Sequence, residues 1–201
     1  IFILFLKRSI KTIVVMKVLF AYNRNTYTNP FVRTLVDGLQ ELGVDVTCSL
    51  DEFWNSWVNY DIIHLQWPNL LVDGLDTVEP LKKHLQLIKD SGKPMVITFH
   101  NLHSHYANGT KGDKAYDIVY DFVDCFIHMG SYSCNLLKDR YPNAKHVIIP
   151  HHIYDTLYKT TPSKEDAKKR LRLRSGVKYI LCFGTFRHDE EREIAIMASE
   201  A

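Results

Sequence analysis

The sequence lacks a strong excess of either charge, and this absence already excludes some classes of function. Its 25 basic and 23 acidic side chains leave a formal net charge of +2 over 201 residues. Nucleic-acid-binding proteins usually carry a basic patch, often interleaved with aromatic residues, and the sequence contains no such patch. We therefore expect no nucleic acid among the partners of this protein.

Cysteine is scarce, and its spacing resembles neither a metal site nor a disulfide framework. The four cysteines are Cys48, Cys125, Cys134 and Cys182. None of them forms a C-x-x-C pair, and all except Cys134 fall in apolar, strand-like runs. Buried free thiols in a reducing cytoplasm are the interpretation that this pattern favours.

Several catalytic and nucleotide-binding motifs are also missing. There is no G-x-G-x-x-G after the first predicted strand, no P-loop, no G-x-S-x-G and no H-E-x-x-H. These absences remove the usual signatures of dinucleotide binding, phosphate cradling, serine hydrolysis and zinc proteolysis. A functional site therefore has to be sought at the ends of the predicted strands.

No apolar run is long enough to span a bilayer. Ile1–Leu6 is apolar, but Lys7, Arg8 and Lys11 interrupt the pattern, and a spanning helix needs about 20 apolar residues. The order of residues is not that of a signal peptide. We interpret residues 1–15 as an upstream extension outside the fold. Their apolar and basic mixture also allows peripheral contact with the inner face of a membrane.

Short apolar runs alternate with helical patterns along the rest of the chain. The runs predict six strands at Lys17–Tyr22, Val44–Leu50, Asp61–Leu65, Met95–Phe99, Val123–His128 and His146–Ile149. Alternation of this kind predicts an α/β fold, in which a Rossmann-like parallel sheet has helices on both faces. We assign residues 16–158 to this domain.

The pattern changes after residue 158. Residues 159–201 read as a linker, a basic helix, a strand at Lys178–Phe183 and a final helix. One strand and one helix cannot bury their own apolar faces. We therefore predict that residues 159–201 begin a second, truncated domain.

Polar side chains follow the predicted strands and should share one rim of the sheet. The strand Met95–Phe99 leads directly into His100, Asn101, His103 and His105. Other rim residues are Asn25, Thr28, Trp67, Ser131 and His151. A rim with aromatic and hydrogen-bonding groups but few acids suits a neutral polyhydroxyl ligand. Ser131 is also expected to cap the helix that follows it.

Four segments of the chain resemble family-four retaining glycosyltransferases of the GT-B fold. These segments are Tyr60–Pro68, Ile97–Asn101, Ile148–His151 and Phe183–Arg187, and the helix Asn29–Gly43 is similar to that family's first helix. The resemblance runs from Met16 to the end of the chain. It implies an acceptor-binding domain followed by the start of a nucleotide-sugar-binding domain.

The resemblance implies a role for individual residues. His100 would be the catalytic histidine beside the donor sugar, while Asn25, Thr28, Trp67, Asn101, His103, Ser131 and His151 would bind substrate. Arg187 would meet the donor diphosphate, with Arg192 in place of the family's usual lysine. A nucleotide sugar would be the donor and a saccharide or lipid-linked molecule the acceptor. No metal and no cofactor would be required, and polysaccharide biosynthesis would be the setting.

The sequence departs from that family at two points, and two alternatives stay open. His188–Glu191 separates Arg187 from the next basic residue, and His152 stands where the family has glycine. The family's paired-glutamate motif is also absent, so the donor site would be incomplete and the fragment alone would be inactive. One alternative is a nucleotide- or sugar-binding module without catalysis. The other is a metal-dependent hydrolase that uses His100, His103 and His105 as ligands, although no carboxylate lies close by in that loop.

Overall fold

Six short strands form one fully parallel sheet in the computed structural model, which describes residues 15–23, 30–104, 110–154, 157, 162–179, 181, 192–194 and 196–197. The strands are β1 (Lys17–Phe20), β2 (Asp45–Cys48), β3 (Ile62–Leu65), β4 (Met95–Phe99), β5 (Cys125–His128) and β6 (Lys145–Ile148). Their order across the sheet is β2-β1-β3-β4-β5-β6, and every neighbouring pair is parallel. The prediction of a Rossmann-like α/β fold is confirmed.

Helices connect successive strands and cover the sheet. They are α1 (Pro30–Glu41), α2 (Leu50–Asn55), α3 (Glu79–Asp90), α4 (Lys111–Phe122), α5 (Ser131–Leu137) and α6 (Lys164–Arg170), with short 3-10 turns at Trp57–Asn59 and Pro68–Val72. In the described part of the chain, no helix has the length and apolar character that crossing a bilayer requires.

Local sequence explains where these helices begin and end. Pro30 occupies the first position of α1, where its fixed φ and missing N–H are tolerated. Gly43 follows α1 with a φ of +82°, a left-handed conformation that favours glycine and commonly ends a helix. The Thr110 side chain caps α4 by accepting from the Asp113 amide, which satisfies one of the exposed donors of the first turn.

The side chains of β1 divide the core between the two faces of the sheet. Val18 and Phe20 pack with Val32 and Val36 of α1 on one face. Leu19 points the other way and joins a second cluster that contains Leu85 of α3. Because successive side chains of a strand point to opposite faces, this division shows that helices cover both faces of the sheet.

The strand order reverses at β1, which has β2 on one side and β3 on the other. Parallel α/β sheets of this order bind ligands in the crevice beyond the carboxyl ends of the strands at such a reversal. Residues that follow β1, β3 and β4 are therefore the ones to inspect for a site.

The chain divides into two compact units, residues 1–154 and residues 155–201. The first unit contains the whole sheet. In the second, α6 is capped by Ser163, whose hydroxyl accepts from the Asp166 amide. The strand predicted at Lys178–Phe183 is not formed at Lys178, Tyr179 or Leu181, and its other residues lie outside those described.

Candidate ligand-binding site

The strand ends beside the reversal of the sheet carry a connected group of polar side chains. His64 lies in β3, Gln66 follows that strand, Thr98 lies in β4 and His100 follows it. His64, Gln66 and Thr98 are buried, and His100 is half-buried. Because His64 pairs with Val96 in the parallel register, Gln66 and Thr98 come together on one face of the sheet.

Hydrogen bonds join these four side chains into one network. His100 Nε2 is 2.9 Å from Gln66 Oε1, and Gln66 Nε2 donates to Thr98 Oγ1 at 3.5 Å. Thr98 Oγ1 is in turn 2.9 Å from His64 Nε2. A buried polar group without a hydrogen-bond partner lowers the stability of the fold. The network therefore stabilises the strand ends and holds His100 in one orientation.

The partner of His100 determines where its proton lies. The amide oxygen of Gln66 can only accept, so His100 Nε2 must be the donor in their hydrogen bond. In a neutral imidazole the other nitrogen then carries a lone pair. His100 Nδ1 has no hydrogen-bond partner among the residues that the structure describes. It is therefore available to accept a hydrogen bond from a ligand.

Burial keeps both histidines of this hydrogen-bonded network, His64 and His100, neutral. It lowers the pKa of His100 to about 4, with a smaller contribution from the neighbouring His151. It lowers the pKa of His64 to about 3, with His100 adding to the effect. At neutral pH the site therefore presents imidazole rather than imidazolium and attracts no anion through these rings.

Aromatic rings surround His100. The Trp67 ring is stacked on it at a centroid distance of 4.3 Å and an interplanar angle of 16°. The Phe31 ring meets it edge-on at 4.9 Å. Phe31 also contacts His151 at 5.1 Å and His152 at 4.7 Å. The first turn of α1 and the segment after β6 thus close around the end of β4.

His152 contributes a polar atom that lacks a partner. Its Nε2 is shielded from solvent and makes no hydrogen bond within the described residues. Burial lowers the pKa of His152, and His151 adds to that effect. A shielded nitrogen without a partner costs about 1–3 kcal/mol, and a ligand that reached it would recover that free energy.

The structure brings together three of the residues predicted for this site. Trp67, His100 and His151 meet around Phe31. Asn101 instead faces α4: its side chain donates to Tyr116 at 3.5 Å, and its carbonyl oxygen accepts from Tyr120 at 2.5 Å. These two contacts give Asn101 a structural role.

Two further predicted residues have other surroundings. His103 is exposed, and its Nδ1 lies 3.5 Å from an Asp113 oxygen. Ser131 is exposed and does not cap α5, so that prediction is wrong. Gly130 occupies the cap position, and no side chain bonds to the helix end there.

The remaining predicted residues are not informative about the site. Asn25, Thr28, His105 and Arg187 lie outside the described residues. Arg192 is exposed and helical. Among the described residues, His100 and His103 do not belong to a group with metal-binding spacing. Nothing in the structure tests the phosphate-binding roles of Arg187 and Arg192.

Sequence reasoning missed the residues that orient His100. Phe31 reads as a core position of an amphipathic helix, and Thr98 reads as one polar residue within an apolar strand. The signal for Gln66 and Thr98 was their burial beside each other at the ends of adjacent strands, which depends on the pairing register. Registers of parallel strands are set by long-range contacts and cannot be read from one sequence.

No family model matches the chain, and no curated protein matches it. Among solved structures, the chain is similar to TIR domains in the structure of the activated Roq1 resistosome directly recognizing the pathogen effector XopQ. The sequences are 14% identical, the match covers 78% of this chain and 98% of the other, and the TM-score is 0.37. We infer no function from a likeness of this size.

These comparisons correct the resemblance to family-four retaining glycosyltransferases. That assignment is wrong, and with it the proposed sugar transfer and the role in polysaccharide biosynthesis. No family model supports it, and a solved structure that does match contains TIR domains instead. Three of the quoted segments, Tyr60–Pro68, Ile97–Asn101 and Ile148–His151, lie at the ends of strands in the parallel sheet, where polar residues are common to many families. The fourth, Phe183–Arg187, lies outside the described residues.

Other expectations are not addressed by these findings. That the protein is an enzyme, that it uses no cofactor, and that it binds a nucleotide sugar and an acceptor without binding nucleic acid all stay predictions. The division at residues 158 and 159 into a complete and a truncated domain also stays a prediction.

Proposed function

We propose that the site around His100 binds a small, uncharged, ring-bearing molecule that donates a hydrogen bond to His100 Nδ1. The observation that carries this proposal is the hydrogen bond between His100 Nε2 and Gln66 Oε1. It fixes the proton on Nε2 and leaves Nδ1 as an acceptor on the half-buried ring that follows β4.

The charge of the site favours an uncharged ligand. His100 and His64 are neutral at pH 7 because burial lowers the pKa of both. The side chains that bond to them, Gln66 and Thr98, are also uncharged. Because such groups do not offset the desolvation of an ionised ligand, a neutral hydrogen-bond donor is the better match.

The aromatic rings favour a flat ligand. Trp67 and Phe31 both contact the His100 ring, so a molecule bonded to Nδ1 would lie beside their edges and faces. Aromatic contacts of this kind contribute about 0.5–1.5 kcal/mol beyond simple area burial. The position at the reversal of strand order also supports this proposal.

Neutral nucleosides and their charged counterparts provide a direct test. We would measure binding of adenosine and uridine to the full chain by calorimetry and thermal unfolding, and compare each with its 5′-monophosphate. We expect a nucleoside to bind and raise the Tm, and its monophosphate to bind more weakly. His100→Ala should abolish the binding.

His103→Ala is the matched control, because His103 lies in the same loop but is exposed and faces Asp113. It should bind as the unmodified protein does. The proposal would be contradicted if neither nucleoside bound, if the monophosphates bound more tightly, or if His100→Ala left binding unchanged.

We also propose a cytoplasmic location with peripheral contact at the inner face of the membrane. The thiols of Cys125 and Cys134 are free, which suits a reducing compartment. Contact with the membrane would depend on the apolar and basic segment of residues 1–15. Cell fractionation of chains with and without that segment should show loss of the membrane-associated fraction, and equal fractions would contradict this proposal.

A further inference from the structure

A second group of histidines lies near the β6 edge of the sheet, between β5, β6 and α5. His128 ends β5 and is fully buried, and His146 lies in β6. Their rings are parallel within 13° at a centroid distance of 5.2 Å. The nitrogens His128 Nε2 and His146 Nδ1 face each other at 2.9 Å.

A thiol completes this group. Cys134 Sγ and a ring nitrogen of each histidine lie within 4.8 Å of one another. The three residues come from different elements, since Cys134 belongs to α5. Two imidazoles and one thiolate are ligands that zinc prefers, and three protein ligands leave the fourth tetrahedral position open.

The outer hydrogen bond of His146 fixes which of its ring nitrogens carries the proton. His146 Nε2 is 3.0 Å from the Tyr141 carbonyl oxygen. A carbonyl oxygen can only accept, so His146 carries its proton on Nε2 and a lone pair on Nδ1.

His128 Nδ1 lies beside the Ser133 hydroxyl. The Ser133 oxygen is 3.2 Å from His128 Nδ1 and 3.1 Å from the Gly130 carbonyl oxygen. A hydroxyl has one proton to donate. With that proton on the Gly130 side, Ser133 accepts from His128 Nδ1–H and His128 Nε2 has a lone pair. With it on the His128 side, His128 Nε2 carries a proton and donates to His146 Nδ1.

In the first arrangement two lone pairs face each other across 2.9 Å and a cation between them relieves the repulsion, whereas in the second a metal ion must displace the shared proton. Histidine ligands of metals are usually oriented in this way, with the second ring nitrogen donating to a carbonyl or another oxygen.

The distances require only a small adjustment. With zinc to nitrogen bonds of about 2.0–2.1 Å, tetrahedral geometry places two ligand nitrogens about 3.3 Å apart. The observed 2.9 Å is a few tenths of an ångström shorter. Zinc to sulfur bonds of about 2.3 Å place the sulfur about 3.6 Å from each nitrogen, so Cys134 Sγ, which lies within 4.8 Å of them, must approach by up to about 1.2 Å. Cys134 is half-buried near the start of α5.

We propose that His128, His146 and Cys134 form a binding site for a zinc ion, with His128 Nε2, His146 Nδ1 and the Cys134 thiolate as ligands. Ser133 and the Tyr141 carbonyl oxygen orient the two rings. The fourth coordination position is open to water or to another ligand. The site is separate from His100 and does not depend on the function proposed for that residue.

The first test is metal binding by the full chain. We would titrate the protein, treated with a chelator and dialysed, with Zn²⁺ and with Co²⁺ as a spectroscopic probe. We expect about one ion per chain, tetrahedral d–d absorption and a thiolate-to-cobalt charge-transfer band. Absence of stoichiometric binding, or a cobalt spectrum without the thiolate band, would overturn the proposal and leave a metal-free proton relay between the rings.

Substitutions identify the ligands. Because His128 is fully buried and its removal threatens folding, the informative variants are Cys134→Ser and His146→Gln, with circular dichroism to confirm the fold. Cys134→Ser should lose the charge-transfer band, and both should lose stoichiometric zinc. Ser133→Ala should weaken zinc binding about 10-fold to 100-fold through the orientation of His128.

Cys125→Ser is the matched control, because Cys125 is a half-buried free thiol in β5 outside this group. It should bind zinc and cobalt as the unmodified chain does. Equal zinc affinity in the unmodified chain, Cys134→Ser and His146→Gln would overturn the assignment, as would loss of the charge-transfer band in Cys125→Ser.

Discussion

Two pairs of histidines occupy the same sheet and differ in what joins their rings. His64 and His100 are connected through the Thr98 hydroxyl and the Gln66 amide. His128 and His146 contact each other directly. In the first pair, His100 donates to the Gln66 amide oxygen and the Gln66 amide nitrogen donates to Thr98, so each linking group has a complementary partner. In the second pair, a nitrogen of each ring faces the other beside the Cys134 thiol, with no side chain between them.

The hydrogen-bond partner of each ring nitrogen, rather than the number of histidines, determines what each site can bind. A side-chain amide holds the proton of His100 and leaves one acceptor for a hydrogen-bonding ligand. The Tyr141 carbonyl oxygen holds the proton of His146 on its outer nitrogen and leaves an inward lone pair, which faces His128 and can bind a cation.

The largest expected effect comes from Phe126, which is fully buried in the core and contacts both histidines of the second pair as well as Tyr120 and Tyr141. Its ring is stacked on His146 at 5.1 Å and on His128 at 5.9 Å. Phe126→Ala should lower the free energy of unfolding by about 3–5 kcal/mol, measured by denaturant titration. Phe126→Leu retains most of the volume and should cost less. A loss below about 1 kcal/mol for Phe126→Ala would show that the rings do not pack as described.

Acid should destabilise the protein through the first pair. The pKa of His64 is about 3 in the folded protein, against about 6.5 in an unfolded chain. The unfolded state therefore binds more protons between these values, and stability that is complete above pH 6.5 is lost as the pH falls. At about 1.4 kcal/mol per pH unit, His64 accounts for about 3 kcal/mol by pH 4.

His64→Gln removes this titration and should make the pH dependence of stability shallower by about 1.4 kcal/mol per pH unit below pH 6. His103→Ala is the control, since His103 is exposed, and should leave that slope unchanged. If His64→Gln and the unmodified protein lost stability in parallel, His64 would not be the buried neutral ring that the structure shows.

A smaller effect is expected from breaking the link between His64 and His100. Gln66→Leu removes the acceptor of His100 Nε2 and the donor to Thr98. It should lower the free energy of unfolding by about 1–3 kcal/mol and release the proton of His100 from Nε2. Nitrogen-15 spectra of the ring should show a mixture of tautomers. A ring that stayed entirely in the Nε2–H form would show that another group holds it.

The sequence allowed the fold to be predicted because each element has a strong local pattern. The apolar runs at Lys17–Phe20 and Met95–Phe99 and the glycine after α1 carry that information themselves. The sequence predicted nothing for residues 51–59, which form α2 and a 3-10 turn. There, Phe53 is fully buried and His84 contacts both Phe53 and Trp54, so tertiary packing fixes that segment.

The sites were less predictable, for a physical reason. His100 could be singled out because it directly follows a buried strand. The group of His128, Cys134 and His146 has no recognisable spacing, because it forms only when β6 pairs beside β5 with Phe126 opposite His146. Local patterns report secondary structure, whereas register and side-chain partners are set by long-range contacts.

The most direct test of this account is a nitrogen-15 correlation spectrum of the histidine rings at pH 7, recorded before and after addition of zinc. We predict that His100 is neutral with its proton on Nε2 and does not shift with zinc, while His128 and His146 shift as their inward nitrogens bind the metal. A charged His100, a proton on its Nδ1, or zinc-dependent shifts at His100 in place of His128 and His146 would contradict it.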